Sequence, residues 1–356
     1  MVRPIDSSAP MAHSSPVAMA SLCVQTVDYH TAGEPFRIVT GGVRTPAGAT
    51  VLDRRSDAQV TLDRVRALLV NEPRGHADMY GGFVTPADDD GGDLGVVFFH
   101  KDGFSTACGH GTIALATWAL ESGVVPAVAP RTRLVVDVPS GRLTVDADVD
   151  PDGRVGEVRF TNVAAWASAL EVPLEVAGLG TSVLADIGYG GAFYAMVPAA
   201  SVGCRVRAED LPAFIAHARS IKAALVGHPA VEHPGDSRLS GCYGVIWTEH
   251  VDDGPPLRLR NVVVFADGEV DRSPCGSGTS ARLAVLHARG AIGLDEELRH
   301  EGIVGTTFRS WIRAVEPGPA GRPSVRTEVG GRAHRTGMHT FVVDPDDELG
   351  LGFQLR

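Results

Sequence analysis

The chain has 356 residues, enough for about two domains at roughly 150 residues each. Hydrophobic residues make up 44% and charged residues 21%, the mix of a folded chain that buries a sizeable core without staples. Lys and Arg total 32 against 43 Asp and Glu, a net charge of −11 that argues against a phosphate backbone as partner, and no apolar run approaches the roughly 20 residues of a membrane helix.

In chain order, residues 1–20 are rich in Ser, Pro and Ala. They lack the basic start and continuous apolar core of a secretory signal and are expected to form a disordered tail. Order is expected from Leu22. Strand-like runs of Val, Ile, Phe and Thr follow at 36–39, 82–84, 94–99, 134–138, 156–160, 195–197, 244–247, 262–265 and 340–343, bounded by Gly, Pro or Asp. Helical patterns occupy 62–69, 112–122, 212–226 and 279–289. The 42 glycines mark many tight turns, which points to a turn-rich β or α/β protein. Five scattered cysteines are too few for a disulfide scaffold, and no Cys-x-x-Cys pair suggests zinc.

The most informative pattern is a repeat. The segment VVFFHKDGFSTACGHGTIALATWALESG begins at Val96, and VVFADGEVDRSPCGSGTSARLAVLHARG begins at Val263. Each is a β-branched run, a polar loop, the string Cys-Gly-x-Gly-Thr, an Ala- and Leu-rich helical pattern and a closing Gly. Phe98 and Phe265 each precede the cysteine by ten residues, and Gly123 and Gly290 each follow it by fifteen. Cys108 and Cys275 are 167 residues apart, close to half the chain. The chain is therefore an internal duplication of one α/β unit, with a pseudo-two-fold relation expected between the halves.

Each of these cysteines falls just before a helix start, where unused backbone N–H groups carry partial positive charge. That field is expected to lower a thiol pKa. Gly109, Gly111, Gly276 and Gly278 strip side chains from the turns, so that a carboxylate can reach the N–H groups. Two such helix starts facing across a cleft suit proton transfer at a carbon next to a carboxylate. One thiolate removes the proton and the opposite thiol returns one to the other face. Cys23, Cys204 and Cys242 read as small core residues. A reversible disulfide between Cys108 and Cys275 stays open at this point.

At these residues the sequence resembles the proline racemase superfamily, which includes proline racemases, 4-hydroxyproline 2-epimerases and trans-3-hydroxy-L-proline dehydratases. The carrying strings are DYHTAGEPFRIVTGG (28–42), EPRGHADMYG (72–81), ACGHGT (107–112), DIGYGGAFYA (186–195), DRSPCGSGTSAR (271–282) and GGRAHRTGMHTF (330–341). The resemblance implies an α/β fold of two similar diaminopimelate-epimerase-like domains. Each wraps a sheet around a central helix, and the site lies in the cleft between them. The expected division is 21–180 and 181–339, with 340–356 returning to the first domain. The resemblance also implies catalysis without cofactor or metal.

By motif, Cys108 and Cys275 resemble the acid/base pair. Gly109, His110, Gly276 and Ser277 resemble the carboxylate-binding turns, and His110 and Asp271 the contacts to the substrate amine. Tyr80, 28 residues before Cys108, and Phe265 map to the substrate wall. His30 and Glu34 read as structural rather than as a metal pair. His76 reads as a core or loop histidine, and His334 as part of a segment returning to the first domain.

Retention of both cysteines favours Cα inversion of proline or a hydroxyproline, since family dehydratases usually carry Thr at the second position. Tyr80 pulls toward a hydroxylated ring and toward the dehydratase, the first alternative. A dithiol redox protein or a silent amino-acid-binding protein is the second. Ala107 and Ala32 depart from the Met and Gly usual in the family. A small-molecule substrate, no nucleic acid, no membrane, a monomer or homodimer and a cytoplasmic location complete the expectations.

Overall fold

The computed structural model describes residues 22–176, 182–252 and 254–355, so the expected tail at 1–20 lies outside the described residues. The first half carries strands β1 (Cys23–Thr31), β2 (Glu34–Gly41), β3 (Tyr80–Thr85), β4 (Leu94–His100), β5 (Arg131–Val138), β6 (Gly141–Val149) and β7 (Val155–Thr161). The second carries β8 (Trp166–Glu175), β9 (Ser182–Tyr189), β10 (Phe193–Pro198), β11 (Cys242–Asp252), β12 (Leu257–Phe265), β13 (Glu269–Asp271), β14 (Leu298–Glu301), β15 (Thr307–Pro317), β16 (Pro323–Gly331) and β17 (Ala333–Val342). The helices are α1 (Val51–Thr61), α2 (Asp63–Val70), α3 (Gly109–Glu121), α4 (Leu211–Ala224) and α5 (Gly276–Ala288).

Strand pairing repeats faithfully. One sheet runs β17-β1-β2-β3-β4-β5-β6-β7. The other runs β8-β9-β10-β11-β12-β14-β15-β16. In both, the third and fifth pairings are parallel and the rest antiparallel. The sheets join where β7 pairs antiparallel with β16. In that pairing Thr161 lies opposite Glu328, residues 167 apart like the two cysteines. The pseudo-two-fold axis therefore passes through this pair.

The pairing divides the chain differently from the sequence expectation. β8, expected in the first unit, extends the second unit's sheet through β9. All of β17, including residues 333–339 expected in the second unit, lies beside β1. With β8 counted as the last strand of the first half, as the sequence division has it, each half passes one strand to the other's sheet.

Local chemistry explains the elements. In β6 the buried residues are Leu143, Val145, Ala147 and Val149, an alternation that turns the polar residues between them outward. α1 begins with a capping box in which Thr50 and Asp53 each satisfy the other's backbone N–H. The β1–β2 hairpin turns on Ala32 and Gly33, with φ of 53° and 93°. Two left-handed residues make the turn that matches strand twist, which is why glycine suits position 32.

α3 is buried at every position from Gly109 to Leu120, and α5 is buried almost throughout. A helix apolar on all sides belongs inside a closed sheet, and each sheet wraps one of them. Among the described residues, no helix is long and apolar enough to cross a membrane.

Candidate active site

The starts of α3 and α5 meet at the axis. A Cβ on Gly109 would lie 2.4 Å from the Gly276 Cα, and a Cβ on Gly276 would lie 2.6 Å from the Gly109 Cα. The Phe160 ring closes on both at 3.0 Å. The first glycine of each Cys-Gly-x-Gly string is thus required by helix-to-helix contact. The second leaves room for the thiol: a Cβ on Gly111 would meet the Cys108 Sγ at 2.7 Å, and one on Gly278 the Cys275 Sγ at 2.9 Å.

Both cysteines are N-caps. The Cys108 Sγ accepts the Gly111 N–H at 3.3 Å and lies 3.5 Å from the His110 ring nitrogens. Cys275 adopts φ 66°, a left-handed conformation costing on the order of 1 kcal/mol. Its Sγ lies 3.7 Å from the Tyr194 hydroxyl. All five cysteines are free thiols.

One narrow pocket brings together all but one of the residues that the sequence assigned to the site: Tyr80, Cys108, Gly109, His110, Phe265, Asp271, Cys275 and Ser277 line it, and Gly276 touches Gly109. Tyr194 and Tyr243 line it as well and were not assigned from sequence. Tyr194 belongs to the 186–195 string, but its role depends on its hydroxyl reaching Ser277 Oγ at 2.7 Å, 83 residues away. Tyr243 sits in no motif, and its hydroxyl bonds that of Tyr80 at 2.9 Å from the other unit. Tyr80 also bonds Ser105 Oγ. Tyr80 packs on the His110 and Phe265 rings at 5.1 and 5.7 Å, and Phe265 stacks on Tyr243 at 5.7 Å.

The expected depression of the thiol pKa is reversed. Burial raises both, and the negative charge of Asp271 raises them further. The Gly111 and Gly278 N–H groups oppose this without overcoming it. Desolvation of a buried thiolate outweighs the partial charges of one helix turn. Asp271 is itself raised by burial, to about 6, with the Ser273 hydrogen bonds working against the rise. His110 is lowered by burial to about 3 and is neutral at pH 7.

Glu34 is fully buried beside this group. One carboxyl oxygen accepts the Arg272 N–H at 2.7 Å and the other has no partner among the described residues. Burial and then the charge of Asp271 push its carboxyl well above the usual carboxylate range. His30 Nδ1 instead accepts the Gly33 N–H, and its ring sits 5.4 Å from His334, so the two HTAGEP residues have separate structural partners. His334 on β17 does pack against the first unit, as its string suggested. His76 Nδ1 accepts the Asp78 N–H at 3.3 Å, a loop role.

Two matched units closing over paired helix starts place this chain among the epimerase-like α/β enzymes. Among solved structures, it is similar to a hydroxyproline epimerase from Agrobacterium vitis with bound trans-4-OH-L-proline. The TM-score is 0.86 at 28% identity, covering 94% of this chain and 96% of that one. The 3-hydroxyproline 2-epimerase of Burkholderia multivorans is 42% identical over 337 residues, 94% of this chain and 99% of that protein. The trans-3-hydroxy-L-proline dehydratase of Colwellia psychrerythraea is 41% identical over 338 residues, 94% and 93% of the two chains. A family model described as proline racemase matches residues 26–354. The chain belongs to the proline racemase family and is an enzyme of that superfamily.

Proposed function

We propose that the enzyme inverts Cα of a hydroxyproline, preferring a 3-hydroxyproline, by a two-thiol mechanism without cofactor. The carrying observation is the pair of thiols at helix starts that touch through Gly109 and Gly276 and share one pocket. One thiolate, Cys108 or Cys275, takes the Cα proton. The electron pair left on carbon spreads into the carboxylate, and the other thiol delivers its proton to the opposite face. The N–H groups of Gly109, His110, Gly276 and Ser277, which helix geometry leaves without intrahelical partners, hold the carboxylate and its growing charge. Neutral His110 accepts from the ring nitrogen, and ionised Asp271 faces the ring ammonium. That bound cation favours the thiolate which burial disfavours in the open pocket.

The ring hydroxyl is argued from donor accounting. Tyr80, Ser105 and Tyr243 carry three hydroxyl hydrogens and make two bonds among themselves, leaving one for another acceptor. A hydroxylated ring against this wall supplies that acceptor. The 42% identity to the 3-hydroxyproline 2-epimerase supports position 3.

A second reading is dehydration of trans-3-hydroxy-L-proline, favoured by the names of several relatives. There the Cα proton leaves to one thiolate, the C3–O bond breaks as water departs, and the enamine tautomerises to the cyclic imine. Proton NMR in deuterated water discriminates. We expect Cα deuteration and a D-configured product from 3-hydroxyproline, and slower exchange with L-proline. Loss of the 3-hydroxyl with no D-configured product would replace the first reading by the second.

A further inference from the structure

Beside the thiol pocket, between the two units, lies a second cavity of about 370 Å³ that opens to solvent. Tyr243 borders both spaces, and its bond to Tyr80 forms part of the wall between them. Arg55 on α1 and Lys222 on α4 line this cavity from opposite units. Arg55 donates Nε and Nη2 to the Phe104 carbonyl at 3.0 and 2.6 Å, and Lys222 donates Nζ to the Ala266 carbonyl. Among the described residues, neither forms an ion pair with a carboxylate.

The nearby acids, with Asp102 on the cavity lining, favour the Lys222 ammonium through space, but each has other partners or is neutral and none forms an ion pair with it among the described residues. Asp102 accepts the Asp267 N–H at 2.7 Å and faces Lys101 Nζ at 3.8 Å. Asp267 pairs with Arg219 at 2.8 Å. Glu269 is kept neutral at pH 7 by burial, its carboxyl raised to about 10. The third cation, Arg238, is already matched by Asp53 at 2.9 Å and Asp236 at 2.7 Å.

Burial lowers the pKa of both Arg55 and Lys222. Both side chains are half-buried, and a cation withdrawn from water is ordinarily paired. A guanidinium fork and an ammonium with unused N–H donors on one cavity make a receptor for a small oxyanion. The catalytic substrate carries such a group.

We propose that this cavity is an anion-binding antechamber, in which Arg55 and Lys222 capture the substrate carboxylate before it passes the Tyr80–Tyr243 wall to the thiols. The onward step rests on the proposed function; the anion site does not. Gln59, exposed on α1 at the cavity lining, offers a test that leaves the folded contacts alone.

Crystals soaked in sodium selenate should show an anomalous peak between Arg55 and Lys222 that is lost in Gln59→Glu. At low ionic strength, kcat/KM for trans-3-hydroxy-L-proline should fall roughly tenfold in Gln59→Glu and rise in Gln59→Lys, with kcat unchanged and the difference erased by high salt. Selenate found only at the α3 and α5 starts, or nowhere, overturns the site. Selenate in the cavity with kcat/KM indifferent to the charge at position 59 makes it an adventitious ion only and overturns the capture role. If no proline derivative turns over, the selenate arm still decides the anion site, so the two failures are distinguishable.

Discussion

Replacing Gly109 by Ala tests whether the helix-to-helix contact sets the thiol spacing. The new Cβ would sit 2.4 Å from the Gly276 Cα, 2.9 Å from its carbonyl carbon and 3.0 Å from Phe160 Cζ. Carbon atoms rest about 3.5–4.0 Å apart, so the two helix starts must separate by about 1 Å or more. Backbone faces backbone, and no rotamer change relieves the clash. Overpacking of this kind costs about 1–3 kcal/mol of stability. The effect on rate is larger, because a displacement of about 1 Å between reacting groups costs about 10²-fold. Deuterium incorporation at Cα by proton NMR reports the rate, and thermal unfolding followed by circular dichroism reports the fold. Gly156→Ala is the control, since its Cβ would meet nothing nearer than 3.5 Å. We expect Gly109→Ala to fold and to exchange about 100-fold more slowly. Exchange within about threefold of wild type would refute the reasoning.

Cys108→Ser and Cys275→Ser should each lower Cα inversion by about 10²–10⁴-fold, measured as D-product formation, and unchanged inversion in both would exclude two-base chemistry. The pH profile of kcat/KM should rise from acid as Asp271 ionises near about 6 and keep rising toward alkaline pH, because burial has raised the thiols. Asp271→Asn should remove the acid limb, and an unaltered limb would assign it elsewhere. Glu269 has a folded-state pKa of about 10 against an ordinary value of 4.5. Between these values the folded state holds a proton that the unfolded state has lost, so stability falls as pH rises. Glu269→Gln, melted at about pH 5 and about pH 8, should gain more Tm over wild type at the higher pH; equal shifts would contradict the assignment. Tyr243→Phe should lower kcat/KM for a hydroxyproline relative to L-proline about tenfold, and an unchanged ratio would remove the hydroxyl wall from specificity.

The elements visible in the sequence were those whose signal is local. Residues 94–99 and 262–265 are apolar runs, and they are β4 and β12. The repeat located α3 and α5, although both begin three residues before the expected start, because glycines that weaken helix propensity are here helix starts in contact. β6 lacks a continuous apolar run and announces itself only by alternation. β8 carries Pro173 and two register shifts that blur its period. α1 reads as a charged stretch until its Thr50 cap is seen.

The same division holds at the pocket. Cys108, His110, Asp271 and Cys275 were legible because the strings around them repeat or resemble a family. Tyr243 was not, because its partner Tyr80 is 163 residues away and only the closed fold joins them. The direction of the thiol shift was misjudged because a helix start can be read from sequence, whereas the completeness of burial around Sγ cannot.

The exchanged strands β8 and β17 have a mechanical consequence. The chain crosses between units twice, after Thr161 and after Gly331, and both crossings leave the same β7–β16 pair. Phe160 of that pair touches both helix starts. The crossings therefore lie next to the thiols, and any rotation of the units about them would move distant points most and near points least. Swinging the units apart in this way would break the exposed Arg238–Asp53 pair that spans them while changing the separation of the two sulfurs least. A molecule built this way can open its mouth to exchange ligand without dismantling the distance on which the proton transfers depend.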